Sequence, residues 1–336
     1  MIEGRAPMET TRRDALALVG GAALAAAGPA MAAPARNLGS KSKTLFWVAS
    51  VTPCDKSLKF DPGAFKDVLA WFKHNGADGV VVLGSTGEYP SFNTEERMQI
   101  METAGKYKDG MNIICSTGTA DFPDTIKLSK HAADHGAEGV LVIPPFYYKQ
   151  PPLAGLIRYY SLVFDALPQS LAVNLYHFPS MSAVPVTTAL LNALKHYPNL
   201  AGIKDSEDNM PEYVDFVKNF PELNMRTGTD LKLEYALQKG MGAILAEGNV
   251  FTRQIADVFA AYRAGKDIHA PYQKFEAQMN LMRKLGGEID SYGPMKYALS
   301  QEMGAPQFYP RPPNLDVTEA QKAAIRKGLA QIKDMG

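Results

Sequence analysis

The segment Asn75-Gly76-Ala77-Asp78-Gly79-Val80 returns sixty residues later as His135-Gly136-Ala137-Glu138-Gly139-Val140, and a third variant occupies residues 239–244. Each copy is typical of a helix end, a glycine free to adopt positive φ, and the start of a buried strand. A repeat of this length has room for two strand–helix units. It therefore predicts a chain built from alternating strands and helices.

Eight short apolar runs extend this alternation along the chain. Most of them are rich in leucine or β-branched residues, as in strands that are buried on both faces of a parallel sheet. They lie at residues 46–53, 79–84, 112–117, 139–144, 170–176, 201–204, 224–228 and 243–246. Apolar positions at helical spacing occur between them, for example at residues 61–75, 94–108, 121–135 and 153–167.

Eight alternations predict an α/β fold of the TIM-barrel type, (β/α)8, which needs about 250 residues. A doubly wound open sheet would carry Gly-x-Gly-x-x-Gly after its first strand, where Thr52-Pro53-Cys54-Asp55 stands here. We expect residues 39–250 to form the barrel core. Residues 251–336, helical in pattern throughout, should supply the last barrel helix and a C-terminal helical extension of the same domain.

Residues 1–38 are excluded from the predicted fold. Ile2-Glu3-Gly4-Arg5 resembles a protease site left by an expression tag, which places the native start at Met8. Arg12-Arg13, the uncharged stretch that follows and Ala30-Met31-Ala32 together form the three-part pattern of a signal peptide. The paired arginines indicate the twin-arginine route and predict a periplasmic protein.

The composition excludes several classes of function. The 336 residues are 46% hydrophobic and 21% charged, which is typical of a globular chain. Lysine plus arginine equals aspartate plus glutamate at 35 each, so no basic field is available for nucleic acid. We also expect no membrane anchor in the mature form. Cys54 and Cys115 are too few for a disulfide scaffold or a cysteine-rich metal site, and we expect two buried, inert thiols.

A histidine pair at helical spacing raises the question of a metal. His131 and His135 are four residues apart, as metal ligands can be, but the Glu of His-Glu-x-x-His is absent. The sequence provides no evident third ligand. We therefore predict no metal site.

Candidate chemistry lies at the carboxyl ends of the strands, where TIM barrels hold their active sites. Lys204 ends the sixth run and would face either the helix layer or the barrel mouth. If the side chain faces inward, its burial would disfavour the ammonium form, and the free amine could form a Schiff base with a ketone. Gly84-Ser85-Thr86-Gly87-Glu88 could cradle a carboxylate, and Tyr176 could act as an acid or base or simply pack.

Taken together, these strand ends resemble the N-acetylneuraminate lyase/dihydrodipicolinate synthase family of class I, Schiff-base aldolases. The matching motifs follow the family order through almost the whole chain beyond the leader. They are Val51-Thr52-Pro53, Gly84-Ser85-Thr86-Gly87-Glu88, Pro145-Phe146-Tyr147-Tyr148, Tyr176 with Pro179, Gly202-Ile203-Lys204, Gly228-Thr229-Asp230, Gly248-Asn249 and Arg311-Pro312-Pro313.

The resemblance implies a role for each matched residue. Lys204 would form an imine with pyruvate or another 2-oxo acid, with no further cofactor, and Tyr176 would relay protons. Tyr147 would complete the relay, in this family usually across a subunit interface, so a homodimer or homotetramer is expected. The implied substrate-binding residues are Ser85, Thr86, Ser206, Asp230 and Ile244.

Three departures from the family pattern bear on the substrate. Met181 stands where dihydrodipicolinate synthases have an arginine, and methionine cannot bind a carboxylate bidentately, which disfavours synthase activity. The sequence looks closer to the neuraminate lyase branch, yet Leu231 and Ala246 replace polar residues that contact the sugar there. Glu247 is an unusual charge in this place, and no role is assigned to it.

The predicted function is an exported lyase that cleaves or forms a carbon–carbon bond between pyruvate and an aldehyde. A sugar-acid dehydratase that uses the same lysine imine is one alternative. The other is an exported 2-oxo-acid binding protein without turnover. Retention of Lys204, Tyr176, Tyr147 and Ser85 together favours an enzyme, because ligand binding alone does not require that set.

Overall fold

Eight parallel strands close into a barrel in sequence order, and β8 returns to pair with β1. The computed structural model describes residues 45–335. The strands are β1 Phe46–Ala49, β2 Gly79–Val82, β3 Asn112–Ser116, β4 Gly139–Val142, β5 Ala172–His177, β6 Leu200–Asp205, β7 Asn224–Thr227 and β8 Ala243–Leu245. All eight predicted strands are present, and the predicted TIM barrel is confirmed.

Helices occupy the connections and the C-terminal part of the chain. They are α1 Pro62–His74, α2 Thr94–Tyr107, α3 Phe122–Asp134, α4 Leu153–Ala166, α5 Pro179–Ser182, α6 Thr188–Leu194, α7 Met210–Asn219, α8 Leu233–Gln238, α9 Thr252–Arg263, α10 His269–Lys284, α11 Tyr292–Met303 and α12 Glu319–Asp334. Polar caps begin the early helices: Asn93 and Glu96 form a capping box at α2, and Asp121 accepts a hydrogen bond from the amide of Asp124 at α3.

The repeated segments adopt the predicted backbone. Gly76, Gly136 and Gly240 all have positive φ, at 92°, 84° and 71°. Each follows a helix end and leads into β2, β4 or β8. A side chain at Gly79 would also collide with the barrel, because an added Cβ would lie 2.6 Å from the ring of Trp47. The glycines of the repeat are therefore required by the fold, for positive φ and for the lack of space beside the barrel.

The helices attach to the barrel through apolar stripes. In α1 the buried residues are Phe65, Val68, Leu69 and Phe72, which follow the i, i+3, i+4, i+7 spacing of one helix face. The strands they cover are apolar on both faces; Val80, Val81 and Val82 of β2, for example, are buried in succession. The core is thus one continuous layer between the sheet and its helices.

A bulge interrupts the pairing of β5 with β6. Val173 lies opposite Leu200, but the next residue, Asn174, lies opposite Gly202, so Ala201 is the extra residue. A bulge of this kind reverses the alternation of side chains along the strand. Leu200 and Lys204, although four residues apart, therefore face opposite sides of the sheet.

The C-terminal helices pack on one another and on the barrel, with α12 against α10 and α11. All described residues belong to one compact unit. Within residues 45–335, none of the helices combines the length and the hydrophobicity needed to cross a bilayer. The predicted leader, residues 1–38, lies outside the described residues, and its export function stays a prediction.

Candidate active site

Lys204 lies at the carboxyl end of β6 beside Tyr176 of β5, with which it is paired in register. Its Nζ is 4.7 Å from the centre of the Tyr176 ring, and the two residues are only 5% and 2% exposed. Tyr176 in turn receives a 3.4 Å hydrogen bond from the hydroxyl of Ser206. An amine, a phenol and a hydroxyl are thus brought together at the barrel mouth, an arrangement that suits a nucleophile with a proton relay.

Gly228 provides the space that the lysine side chain occupies. A Cβ added there would lie 2.2 Å from the Ser206 hydroxyl and 2.9 Å from Cε of Lys204. Both distances are shorter than ordinary van der Waals contact. The glycine at the end of β7 is therefore part of the site, although it carries no chemistry of its own.

The Ser85–Thr86 loop is held in a strained conformation. Leu83 and Glu88, on either side of it, have positive φ values of 58° and 55°. Such conformations cost about 1–3 kcal/mol each in residues with a side chain and persist only where the surroundings enforce them. Thr52 supplies one restraint, because its hydroxyl donates to the carbonyl of Gly87 at 2.8 Å. The predicted cradle is therefore a fixed element of the mouth.

Glu88 ties this loop to the C-terminal part of the chain. Its buried carboxylate forms an ion pair with Lys296 of α11. It also accepts hydrogen bonds from the amide of Arg311 at 2.8 Å and from the side chain of Asn314 at 3.1 Å. The Gly-Ser-Thr-Gly-Glu and Arg-Pro-Pro motifs, distant in the sequence, therefore form one structural unit.

A pocket of about 250 Å³ opens beside Ser85. Its lining includes Ile143, Phe146, Met181 and Tyr292. Tyr292 begins α11, and no local sequence pattern shows that this distant helix reaches the mouth. Burial, with nearby Glu88 and Tyr176, raises the pKa of the Tyr292 phenol.

Tyr147 does not join the other predicted catalytic residues within this chain. It is 72% exposed and packs edge-to-face on Tyr148, with ring centres 5.5 Å apart. Two exposed aromatic rings side by side are typical of a protein–protein contact. The predicted role of Tyr147 across a subunit interface therefore stays a prediction.

The ends of β7 and β8 bring carboxyl groups to the same mouth. Ile244 is fully buried in β8, opposite Trp47 of β1, below the point where Glu247 follows the strand. Asp230, 6% exposed, lies near Glu247 and 3.8 Å from the guanidinium of Arg283. Burial raises the pKa of Asp230, and burial together with the charge of Asp230 raises that of Glu247 to about 7.

The remaining candidates are two thiols and a histidine pair. Cys54 and Cys115 are buried and free, and burial raises the pKa of both thiols. Glu102 of α2 approaches His131 and His135, so that three possible ligand atoms lie within 4.8 Å of one another. This group lies near the carboxyl ends of two outer helices, which in a TIM barrel is the face opposite the strand ends. It takes no part in the geometry around Lys204.

A buried lysine at the end of a barrel strand, beside a tyrosine and across from a hydroxyl-bearing loop, defines a lyase of the class I, Schiff-base type. The family model for the dihydrodipicolinate synthetase family matches residues 43–332. The chain belongs to this family, as the motifs indicated.

Individual relatives agree with that assignment. The chain is 33% identical over 267 residues to an uncharacterised DapA-like lyase of Chloroflexus aurantiacus, covering 79% of this chain and 88% of that protein. It is 29% identical over 290 residues to the 4-hydroxy-tetrahydrodipicolinate synthase of Acidiphilium cryptum, covering 85% and 97%. YagE, a prophage protein of the same family from E. coli K12 solved in complex with pyruvate, superimposes with a TM-score of 0.78 at 28% identity, covering 86% and 98%.

Proposed function

We propose that this protein cleaves or forms a carbon–carbon bond between pyruvate and an aldehyde through an imine on Lys204. The observation that carries the proposal is the position of Lys204, buried against Tyr176 in the space left by Gly228. An enclosed amine with a neighbouring phenol and hydroxyl can attack a 2-oxo carbon and pass on the protons released. The pyruvate complex of the related YagE supports this choice of 2-oxo acid.

The pocket beside Ser85 favours an uncharged aldehyde. Among the described residues that line it, the charged one is Glu88, whose carboxylate is already paired with Lys296. Met181 also lines it and offers no hydrogen bond to a second carboxylate. A substrate with an additional carboxylate would therefore lose hydration there without gaining a positively charged partner among these lining residues. This argues against the synthase reaction.

Borohydride trapping tests the imine directly. With pyruvate and borohydride, the intact mass should rise by one reduced pyruvyl group, mapped to the peptide that contains Lys204. Lys204→Ala should show no adduct, because it has no side-chain amine. Lys204→Arg should show none either, because a guanidinium stays protonated and is not a nucleophile. Lys195→Ala, which removes an exposed lysine beside α6, is the matched control and should behave as wild type. No adduct in the wild type, or an equal adduct in Lys204→Ala, would overturn the proposal.

Product analysis separates the alternatives. A lyase releases pyruvate and an aldehyde from its substrate, whereas a sugar-acid dehydratase loses water and keeps the carbon chain intact. A binding protein would retain pyruvate without any reducible adduct. A screen of neutral and carboxylated aldehydes with pyruvate then tests the inferred aldehyde class.

We also propose that the native protein is exported by the twin-arginine route. The support is the pattern of Arg12-Arg13, the apolar stretch and Ala30-Met31-Ala32. Mass spectrometry of a native periplasmic extract should find a mature N-terminus just after Ala32 or Ala33. An uncleaved Met8 start confined to the cytoplasm would contradict export.

A further inference from the structure

Glu247 is a rigidly placed carboxyl group at the mouth that the proposed imine chemistry does not use. It opens the short 3-10 turn Glu247–Asn249 directly after β8. Its carbonyl accepts hydrogen bonds from the amides of Val250 and Phe251 at 3.1 and 2.9 Å. Asn249 fixes the same turn to β1 by donating to the carbonyl of Ala49 at 2.8 Å and accepting from the amide of Val51 at 3.0 Å.

One of the two carboxyl oxygens of Glu247 is enclosed without a hydrogen-bond partner. Part of the residue reaches the surface, but its Oε2 atom is buried and finds no hydrogen-bond partner among the described residues. A buried carboxyl oxygen left unpaired is energetically unfavourable, because it has given up its hydration without a replacement. Groups that accept such a cost are concentrated at functional sites, where a substrate supplies the missing partner.

The charges around Glu247 favour its protonated form. Asp230 and Asp290 are the acidic groups whose charges act on it, and Lys204 and Arg283 are the basic ones. Burial and the two acids outweigh Lys204, so the pKa of Glu247 rises to about 7. A carboxylic acid close to half-protonated at neutral pH can both donate and accept a proton.

We propose that Glu247 is the acid and base for the oxygen atom of the aldehyde, a step separate from the proton transfers at the imine that Tyr176 would serve. In the condensing direction, the enamine carbon derived from pyruvate bonds to the aldehyde carbon. The carbonyl π electrons move to the oxygen, which takes the proton of Glu247 and becomes a hydroxyl group. The enamine nitrogen becomes an iminium and Glu247 a carboxylate. In cleavage, that carboxylate takes the hydroxyl proton back as the bond breaks.

This role rests on the proposed function. It concerns only the second of two half-reactions, the condensation of the enamine with the aldehyde, and leaves the first, formation of the enamine, unaffected. Formation of the enamine from pyruvate takes place at Lys204 and does not involve the aldehyde oxygen. Exchange of the pyruvate methyl protons in heavy water reports this half alone. Condensation of pyruvate with the best accepted member of a series from glycolaldehyde to benzaldehyde reports both halves.

We expect Glu247→Gln to keep the borohydride adduct and the methyl-proton exchange within about threefold of wild type. Its condensation rate should fall by about 10²–10⁴, the usual worth of general acid catalysis. Because the acid form is required for condensation, the wild-type rate should decline as pH rises through about 7, and this decline should vanish in Glu247→Gln. Asp230→Asn removes a facing charge and should move the decline to lower pH without abolishing it.

Glu302→Gln is the matched control, because Glu302 is a partly buried glutamate of α11 whose pKa is also raised by burial. It should leave both rates and the pH profile unchanged. Condensation by Glu247→Gln at a rate close to wild type, with the decline near pH 7 retained, would overturn the role of Glu247. A wild type that forms no adduct, or that condenses with no aldehyde, would instead refute the proposed function on which it rests.

Discussion

Gly228→Ala should disable the nucleophile without removing any functional group. The new Cβ would lie 2.2 Å from the Ser206 hydroxyl and 2.9 Å from Cε of Lys204. Restoring a carbon–carbon contact of about 3.5 Å requires the lysine chain to move by about 0.6 Å. Since a misplacement of about 1 Å can cost 10²-fold in rate, we expect imine formation to slow by about 10- to 100-fold.

Overpacking of this kind also costs about 1–3 kcal/mol of stability, so rate and stability must be measured separately. The assay follows the pyruvyl adduct by intact mass after borohydride quenching, at a temperature where urea unfolding shows the variant to be fully folded. Gly155→Ala in α4 is the control, because its nearest neighbour, Pro152, is at an unstrained 3.7 Å. A Gly228→Ala protein that loses stability but traps pyruvate at the wild-type rate would refute the reasoning.

Three further outcomes are expected. Tyr147→Phe should lower turnover while leaving the pyruvyl adduct intact, and sedimentation should find at least a dimer; a fully active monomer would remove the cross-subunit role. Lys296→Met should lower the urea unfolding free energy by about 3–5 kcal/mol, because it leaves the Glu88 carboxylate buried and unpaired; a loss below about 1 kcal/mol would contradict this. A hydrogen bond from Arg311 holds the pKa of Glu96 below its usual value. This pair should therefore add to the free energy of unfolding at neutral pH, and its contribution should be lost as pH falls below about 4.5. Glu96→Gln should reduce that loss in unfolding titrations.

The sequence predicted the strands, helices and glycine turns well because the forces that set them are local. Apolar runs, helical spacing and positive-φ positions such as Gly76 and Gly136 act within a few residues of one another. The orientation of Lys204 was a different matter, and spacing left it open between the mouth and the helix layer. Strands that are buried on both faces show no polar alternation from which to read the orientation, and the bulge at Ala201 would put an alternation counted from Leu200 on the wrong face.

Contacts between distant parts of the chain were also beyond local patterns. Arg311 and Glu88 are 223 residues apart, and neither residue has a periodicity that would indicate the other. Tyr292 reaches the mouth only because α11 is folded back over the barrel. Glu247 could be recognised in the sequence as an unusual charge, but its raised pKa depends on burial and on the charges of Asp230 and Asp290, all of which arise only in the fold.

The bond between Glu88 and the C-terminal helices has a consequence for the order in which the protein becomes active during synthesis. All eight strands and Lys204 have been synthesised once residue 245 is added, so the barrel can begin to assemble as they emerge from the ribosome and translation continues. Until Lys296 and Arg311 follow, however, the loop that carries Ser85 has neither its counter-charge nor its amide donor. A nascent chain can thus possess the proposed nucleophile while the loop proposed to hold the substrate is still unformed. The segments made last, which contribute no strand to the barrel, determine when the enzyme begins to work.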